Sequence, residues 1–268
     1  MINEGKHPVL GVGISAIDYE YAVKAIMQAA KEQSSLAVTA LAVHGVMTGF
    51  YDPVHRRRLN GFDLVTPDGQ PVRWALQWIH GIKLPDRVYG PTLTLKVLAA
   101  AEQEGLSVYF YGSQEETLAY LLNNLENQFP DLNIVGAEPS QFRQLNPEEK
   151  QAVITRMQKS GAAIAFVGLG CPRQEVWVYE YCNHLQMPLL AVGAAFDFHA
   201  GTRPQAPVWM QKRGLEWLFR FLQEPRRLWK RYLLLNPVYL TFAALEMFSI
   251  SKRPVLMPTG KEPEKSYG

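Results

Sequence analysis

Up to about residue 200 the chain alternates two hydrophobic patterns. Short apolar runs, "PVLGVGI", "LAVTALAV", "FDLVTPDG", "LSVYFYG", "NIVGAEP", "AAIAFVGLG" and "PLLAVGAAF", read as buried strands. Between them "PTLTLKVLAAAEQEG", "QEETLAYLLNNLENQF", "NPEEKQAVITRMQKSG" and "RQEVWVYEYCNHL" carry helical spacing. Asp18 suits an N-cap, and the helix it opens sets Ala22, Val23, Ile26, Met27 and Ala30 on one face. The stretch "YDPVHRRRLN" reads as a polar spacer. Apolar strands alternating with amphipathic helices predict an α/β fold: a Rossmann-like, mostly parallel sheet with helices on both faces.

After residue 202 the pattern changes. In "GLEWLFRFLQEPRRLWKRYLLLNP", Leu215, Leu218, Phe219 and Leu222 follow helical spacing over 214–223, and Pro225 breaks or restarts the helix. Leu228, Trp229, Tyr232 and Leu233 make a second apolar stripe. The residues divide as a 1–202 catalytic body, a 203–250 basic amphipathic appendage and a 251–268 tail whose polar composition predicts disorder. The run from Tyr232 to Ile250 contains Asn236, Pro237 and Glu246, which disfavours a membrane span.

Charge sharpens this division. Residues 1–202 carry 15 Lys and Arg against 20 Asp and Glu, whereas residues 203–231 carry 8 against 2. An acidic body with a basic collar points to an anionic partner near the C-terminal end. Basic residues interleaved with Leu, Phe and Trp fit an anionic membrane surface better than a nucleic-acid groove. A solvated charged face over a stripe packed on the sheet reads the same residues. Two cysteines, Cys171 and Cys182, make neither a disulfide framework nor a metal spacing, and "MINEGKHPVL" lacks an export signal pattern.

In parallel sheets the ligand lies beyond the carboxyl ends of the strands, so the strand-to-helix junctions hold the candidate chemistry. At "FYGSQEET", Gly112 lets a nucleotide approach and a helix N-terminus offers N–H groups, although Ser113 as N-cap with Glu116 in a capping box explains the same residues. At "VGLGCPRQEVW", Gly168 and Gly170 free the backbone while Arg173 and Gln174 supply donors suited to a diphosphate or a uracil edge, although a tight turn with a solvated Arg explains the same residues. At "VTPDGQPVRWAL", Asp68 is either half of a turn pair or a general base. No D-x-D pair and no histidine grouping suggests a metal, and neither G-x-G-x-x-G nor G-x-S-x-G occurs.

Taken together, "TPDGQPVRWAL", "RVYGPTL", "FYGSQEET", "VGLGCPRQEVWV" and "VGAAFDFHAGTRPQAPVWMQKRGLEWLFRFLQEPRRLWKRY" resemble the WecG/TagA/CpsF glycosyltransferases, glycosyltransferase family 26. The resemblance implies an inverting, metal-independent transferase with no cofactor. It would move a sugar from a UDP-sugar donor to a polyprenyl-diphosphate-linked sugar acceptor, in surface polysaccharide or teichoic acid assembly. It also implies a cytoplasmic enzyme lying peripherally on the inner face of the cell membrane. Carried over by motif, the catalytic base falls on Asp68, with Thr39 and Arg87 beside it. The uridine-diphosphate contacts fall on Gly112, Arg173 and Gln174, with Asp197 in the matching "FDF" loop; Ser113, Gly168 and Gly170 at the junctions are further substrate-binding candidates. The appendage arginines facing the diphosphate fall among Arg220, Arg227 and Arg231. Leu41 stands where many members have Asn, and Thr92 where many have Asp, both expected on the sugar side of the pocket. That departure leaves the donor sugar open, and with it a non-catalytic, membrane-tethered UDP-sugar-binding protein as the alternative. A homo-oligomer is compatible with the sequence, and nucleic acid is not expected as a partner.

Overall fold

The structure, a computed structural model, describes residues 1–248, 254–260 and 262–268, with the side chains of Arg227, Lys230 and Arg231 outside that description. The chain opens with a hairpin, β1 (Asn3–Val9) and β2 (Val12–Ile17), in antiparallel register Val9↔Val12. Leu10 and Gly11, at φ 52° and 82°, form its turn. Two consecutive left-handed residues match the twist of a tight hairpin. The run "PVLGVGI", expected as one strand, is therefore cut in two at its Leu-Gly pair.

The main sheet has six strands: β3 (Leu36–Leu41), β4 (Leu64–Pro67), β5 (Val108–Gly112), β6 (Ile134–Glu138), β7 (Ile164–Gly168) and β8 (Pro188–Ala191). Their order is β4-β3-β8-β7-β5-β6 and every pairing is parallel. Side-chain alternation splits the core into two layers. Val38, Phe110, Phe166 and Leu190 face one side, while Tyr109, Ala165, Val167 and Leu189 face the other. The chain moves outward at β4, restarts at β5, moves outward again at β6, then fills the middle with β7 and β8. The junctions after β3, β8 and β7 thus converge, as at the switch point of doubly wound sheets.

The helices of the body are α1 (Tyr19–Lys31), α2 (Val43–Tyr51), α3 (Pro53–Asn60), α4 (Gln70–His80), α5 (Gly90–Glu104), α6 (Glu115–Gln128), α7 (Pro147–Lys159), α8 (Arg173–Tyr181) and α9 (Ala195–His199). Asp18 caps α1 by accepting from the Tyr21 N–H at 2.9 Å, as its position predicts. The spacer "YDPVHRRRLN" is instead largely α3. Asp52 accepts from the N–H groups of Val54 and His55, Pro53 starts the helix, and His55, Arg56 and Arg58 are buried. Burial among cationic neighbours pushes the His55 imidazole down to about 4.

Beyond the body lie α10 (Val208–Lys212), α11 (Glu216–Gln223), α12 (Pro225–Trp229), a π-helical stretch Lys230–Leu235, and α13 (Asn236–Met247). The segment expected as one appendage divides. None of the α11 residues is buried, whereas α13 enters the main core. Tyr239 is fully buried and donates to the Pro71 carbonyl at 3.1 Å; Phe242 packs on Phe50, and Glu246 accepts from the Leu10 N–H at 2.8 Å. The second apolar stripe divides as well: Leu228 and Tyr232 point inward, Trp229 and Leu233 outward. Among the described residues no helix is long and apolar enough to cross a membrane.

The described residues of the tail lie along α3, α8 and α7. Glu262 pairs with Arg57 at 2.9 Å and accepts from the Tyr179 hydroxyl, while Glu264 meets the buried Lys150 at 2.7 Å. Glu180 accepts from the N–H groups of Lys265 and Ser266.

Candidate active site

A cleft of about 950 Å³ opens at the carboxyl edge of the sheet. Its lining joins strand-end residues Asp68, Ser113, Gly168, Gly170 and Gln174 to Asp197, and then to Arg203, Arg220, Leu228 and Leu235 from beyond the body. Body and basic collar therefore face one cavity.

Asp68 follows β4 directly. Its Oδ1 accepts from the Gly90 N–H, the first residue of α5, at 2.6 Å. Gly90 allows this approach, since a Cβ there would lie 3.0 Å from the Ala40 Cβ. The carboxyl is open to the cleft and enclosed by protein elsewhere. Desolvation pushes its pKa up to about 6, against the opposing pull of Arg87, the Gly90 N–H and Arg220. Such a group is ionised at neutral pH yet more basic than an ordinary Asp, which suits proton abstraction.

Arg87 is 6% exposed, stacks over the Tyr89 ring at 4.2 Å and forms an ion pair with Glu216 in the first turn of α11. That pair docks α11 beside Asp68, and one turn later Arg220 reaches the cleft, 5.7 Å from the Phe198 ring centroid. Arg203 lies near Asp197 (3.5 Å) and Glu224 (3.9 Å).

The opposite end is built from backbone. Gly112 has φ 117°, and a Cβ there would stand 2.7 Å from the Gly168 carbonyl carbon. Ser113 is also left-handed, at φ 62°, and its N–H donates to the Gly168 carbonyl. It is not the N-cap of α6; Gln114 is, with no side-chain cap, so the expected Ser113–Glu116 capping box is absent. The start of α8 likewise lacks a side-chain cap. Uncapped helix N-termini at a cleft leave N–H donors for an anion. Gln174 is locked: its Oε1 accepts from the Gly170 N–H at 3.1 Å and its Nε2 donates to Glu175 at 2.9 Å.

Five expected site residues lie outside the cleft lining: Arg87 and the buried Gly112, placed as described above, and Thr39, Arg173 and Thr92. Thr39 is fully buried in mid-strand and donates to Glu175 at 3.2 Å, beneath the cleft floor. Arg173 is exposed, absent from the cleft lining, and sits 5.7 Å over the Tyr267 ring of the tail. Thr92 is also outside the lining and serves the Tyr19 hydroxyl, whereas Leu41 does line it. The side chains of Arg227 and Arg231 lie outside the described residues. Sequence reasoning passed over Tyr89, Glu216, Arg203 and Glu175. Glu216 and Glu175 stand inside the quoted "GLEW" and "PRQE" strings, but nothing local marks a carboxylate whose partner is distant. Burial raises the Glu175 carboxyl above its ordinary value. Among the described residues no group of three or more His, Cys, Asp or Glu side chains is arranged to hold a metal ion.

A parallel sheet whose strand ends carry a half-buried carboxylate, uncapped helix starts and converging arginines is an α/β fold with a cleft equipped to bind an anionic substrate. The chain belongs to the WecG/TagA/CpsF family of glycosyl transferases, whose sequence profile matches residues 7–253. It is a glycosyltransferase.

Proposed function

We propose that this enzyme transfers a hexosyl or N-acetylhexosaminyl group from a UDP-sugar to a polyprenyl-diphosphate-linked sugar, in one inverting displacement. The observation that carries the reading is the shared cleft, which Asp68 lines from the body and Arg220 lines from the docked α11. Asp68 takes the proton from the acceptor hydroxyl as that oxygen attacks the anomeric carbon. The bond to the donor diphosphate breaks, and UDP leaves. Arg220 and Arg203, with the N–H groups opening α6 and α8, meet the charge that develops on the diphosphate. Gly112, Ser113, Gly168 and Gly170 let the nucleotide approach the backbone, and Gln174 offers a pre-set amide. Arg87 acts through position, holding α11 by Glu216 and biasing Asp68 toward its ionised form.

The exposed apolar residues from Val208 to Phe248, with Lys212, Arg213 and Arg226 among them, support a peripheral site on an anionic membrane. The test is a panel of UDP-sugars against a short-chain polyprenyl-diphosphate-sugar, read by UDP release with and without chelator. One donor is expected to turn over in both conditions. Catalysis that collapses on chelation overturns the metal-independent step, and UDP release without an acceptor product overturns the transfer.

A further inference from the structure

The tail reaches the cleft through a loop. The segment between β6 and α7 carries Phe142, which lines the cleft next to Ser113 while half of its side chain stays exposed. Phe142 has φ 53°, a left-handed conformation that a bulky residue adopts only when its surroundings enforce it. The contacts that hold it come from the tail and from Ser140, whose Oγ accepts from the Phe142 N–H at 2.9 Å and donates to the Gly268 carbonyl at 2.6 Å. The Phe142 N–H donates to the Gly268 carbonyl at 3.1 Å, the Leu145 N–H to the Ser266 carbonyl at 2.7 Å, and the Gly268 N–H to the Arg143 carbonyl at 3.0 Å. Gln144 and Tyr267 form an antiparallel bridge. On its other edge the loop ties back to the cleft, where the Ser140 N–H donates to the Ser113 carbonyl at 3.0 Å. Glu180, accepting two tail N–H groups, and Lys150, paired with Glu264, anchor the tail to the body. The tail residues in these contacts, 264–268, lie beyond the span that the family profile matches.

We infer that residues 263–268 are a strap that adds one short strand to the 142–145 segment and thereby positions Phe142 as an aromatic wall at the nucleotide end of the cleft. The chemical class it faces is the flat base of a nucleoside diphosphate, so this inference rests on the donor reading above. Phe142 is the residue that would touch ligand; the strap acts through it.

The strap and the donor reading are tested separately, in the full chain. Deleting residues 263–268 is expected to raise amide hydrogen exchange at Phe142 and Leu145 at least about tenfold, with α5 and α6 amides unchanged. Ser266→Pro, which cannot adopt the observed φ of 44° and loses the N–H held by Glu180, gives the same local result if the deletion disturbs the fold more widely. Unchanged exchange in the loop overturns the strap. Equilibrium UDP binding then reads the consequence. The deletion and Phe142→Ala each weaken it about tenfold, their combination weakens it no further, and Phe142→Tyr binds as the parent protein does. Losses that add, or affinity untouched by either change, overturn the positioning role. A parent protein that fails to bind UDP overturns the donor reading, and exchange still decides the strap.

Discussion

The two walls of the cleft are built by different physics. On the body side every reactive group is fixed by something that cannot easily move. Asp68 is held by the backbone of α5, Gln174 by Gly170 and Glu175, and Gly112 lies so close to Gly168 that no side chain fits. On the other side, α11 buries no residue and Arg220 is steadied by the Phe198 ring. Its docking depends heavily on the Arg87–Glu216 pair, which is nearly buried and therefore costly to break from one side. One wall is preorganised for a charge that develops at a fixed point. In the proposed reaction the other is the wall left free to adapt to the donor and its leaving group.

The rigid wall gives the largest expected effect. Asp68→Asn is isosteric and keeps an acceptor for the Gly90 N–H, so donor affinity changes little while turnover falls about 10²–10⁴-fold. A stability change of known sign accompanies this loss. The folded-state pKa of Asp68, about 6, lies above its value in the unfolded chain. Stability associated with the protonated carboxyl is thus complete below the unfolded value, near 4, and is lost as pH rises through about 6. Asp68→Asn removes that cost, so the variant is more stable than the parent at pH 7.5 by an amount of order 1–3 kcal/mol, read as a higher unfolding temperature, with the gap closing toward pH 4. The kcat/KM profile of the parent rises with pH through about 6, because the base must be ionised. Near-parental turnover in Asp68→Asn, or a pH profile without that limb, removes Asp68 from the role of base.

A pair of glycines sharpens the same contrast within the body. Gly112 and Gly170 both have positive φ, 117° and 77°. A methyl group at Gly112 would press on the Gly168 backbone, whereas one at Gly170 meets nothing within 4 Å. Gly112→Ala combines backbone strain with overpacking and is expected to cost about 2–5 kcal/mol, while Gly170→Ala carries strain alone, about 1–2 kcal/mol. Urea midpoints measured at constant m-value decide it, and equal losses would mean that the close approach at Gly112 has slack.

Legibility followed the same divide. The parallel sheet, its helices and the placement of Asp68, Ser113 and Gln174 could be read because each depends on a local run or junction. The position of Thr39 off the cleft was not legible because strand alternation, not motif membership, decides which face a side chain takes, and its face looks toward α8 and Glu175. The position of Arg173 was not legible because its partner, Tyr267, is far away in sequence. The polar α3 and the tail escaped for one shared reason: their charges are matched across the fold, as Arg57 is by Glu262, and composition cannot show such pairing. Tyr239 and Glu246 make α13 part of the core, so a break in pattern near residue 202 does not mark a packing boundary for that helix. A cut there would expose the surfaces of α2 and α4 instead of freeing an independent body.

The adaptable wall yields the smallest expected effect, and the one most dependent on conditions. Leu222 on α11 is 68% exposed, and Leu233 and Leu234 are more than half exposed. If this edge enters the headgroup region of a membrane, each leucine there loses water contact on binding, at most about 1.5–3 kcal/mol per side chain and less when insertion is shallow. Leu222→Glu also brings a negative charge toward anionic lipid. Its partition onto vesicles of mixed neutral and anionic lipid is expected to fall about three- to tenfold, while turnover with a detergent-dispersed acceptor stays at the parental level. The exposed Lys212, Arg213 and Arg226 supply the other component, so raising salt should weaken vesicle binding of parent and variant in parallel. Equal vesicle binding by Leu222→Glu and the parent at every salt concentration would place the lipid-facing surface elsewhere. The contrast between the walls would then be one of rigidity alone.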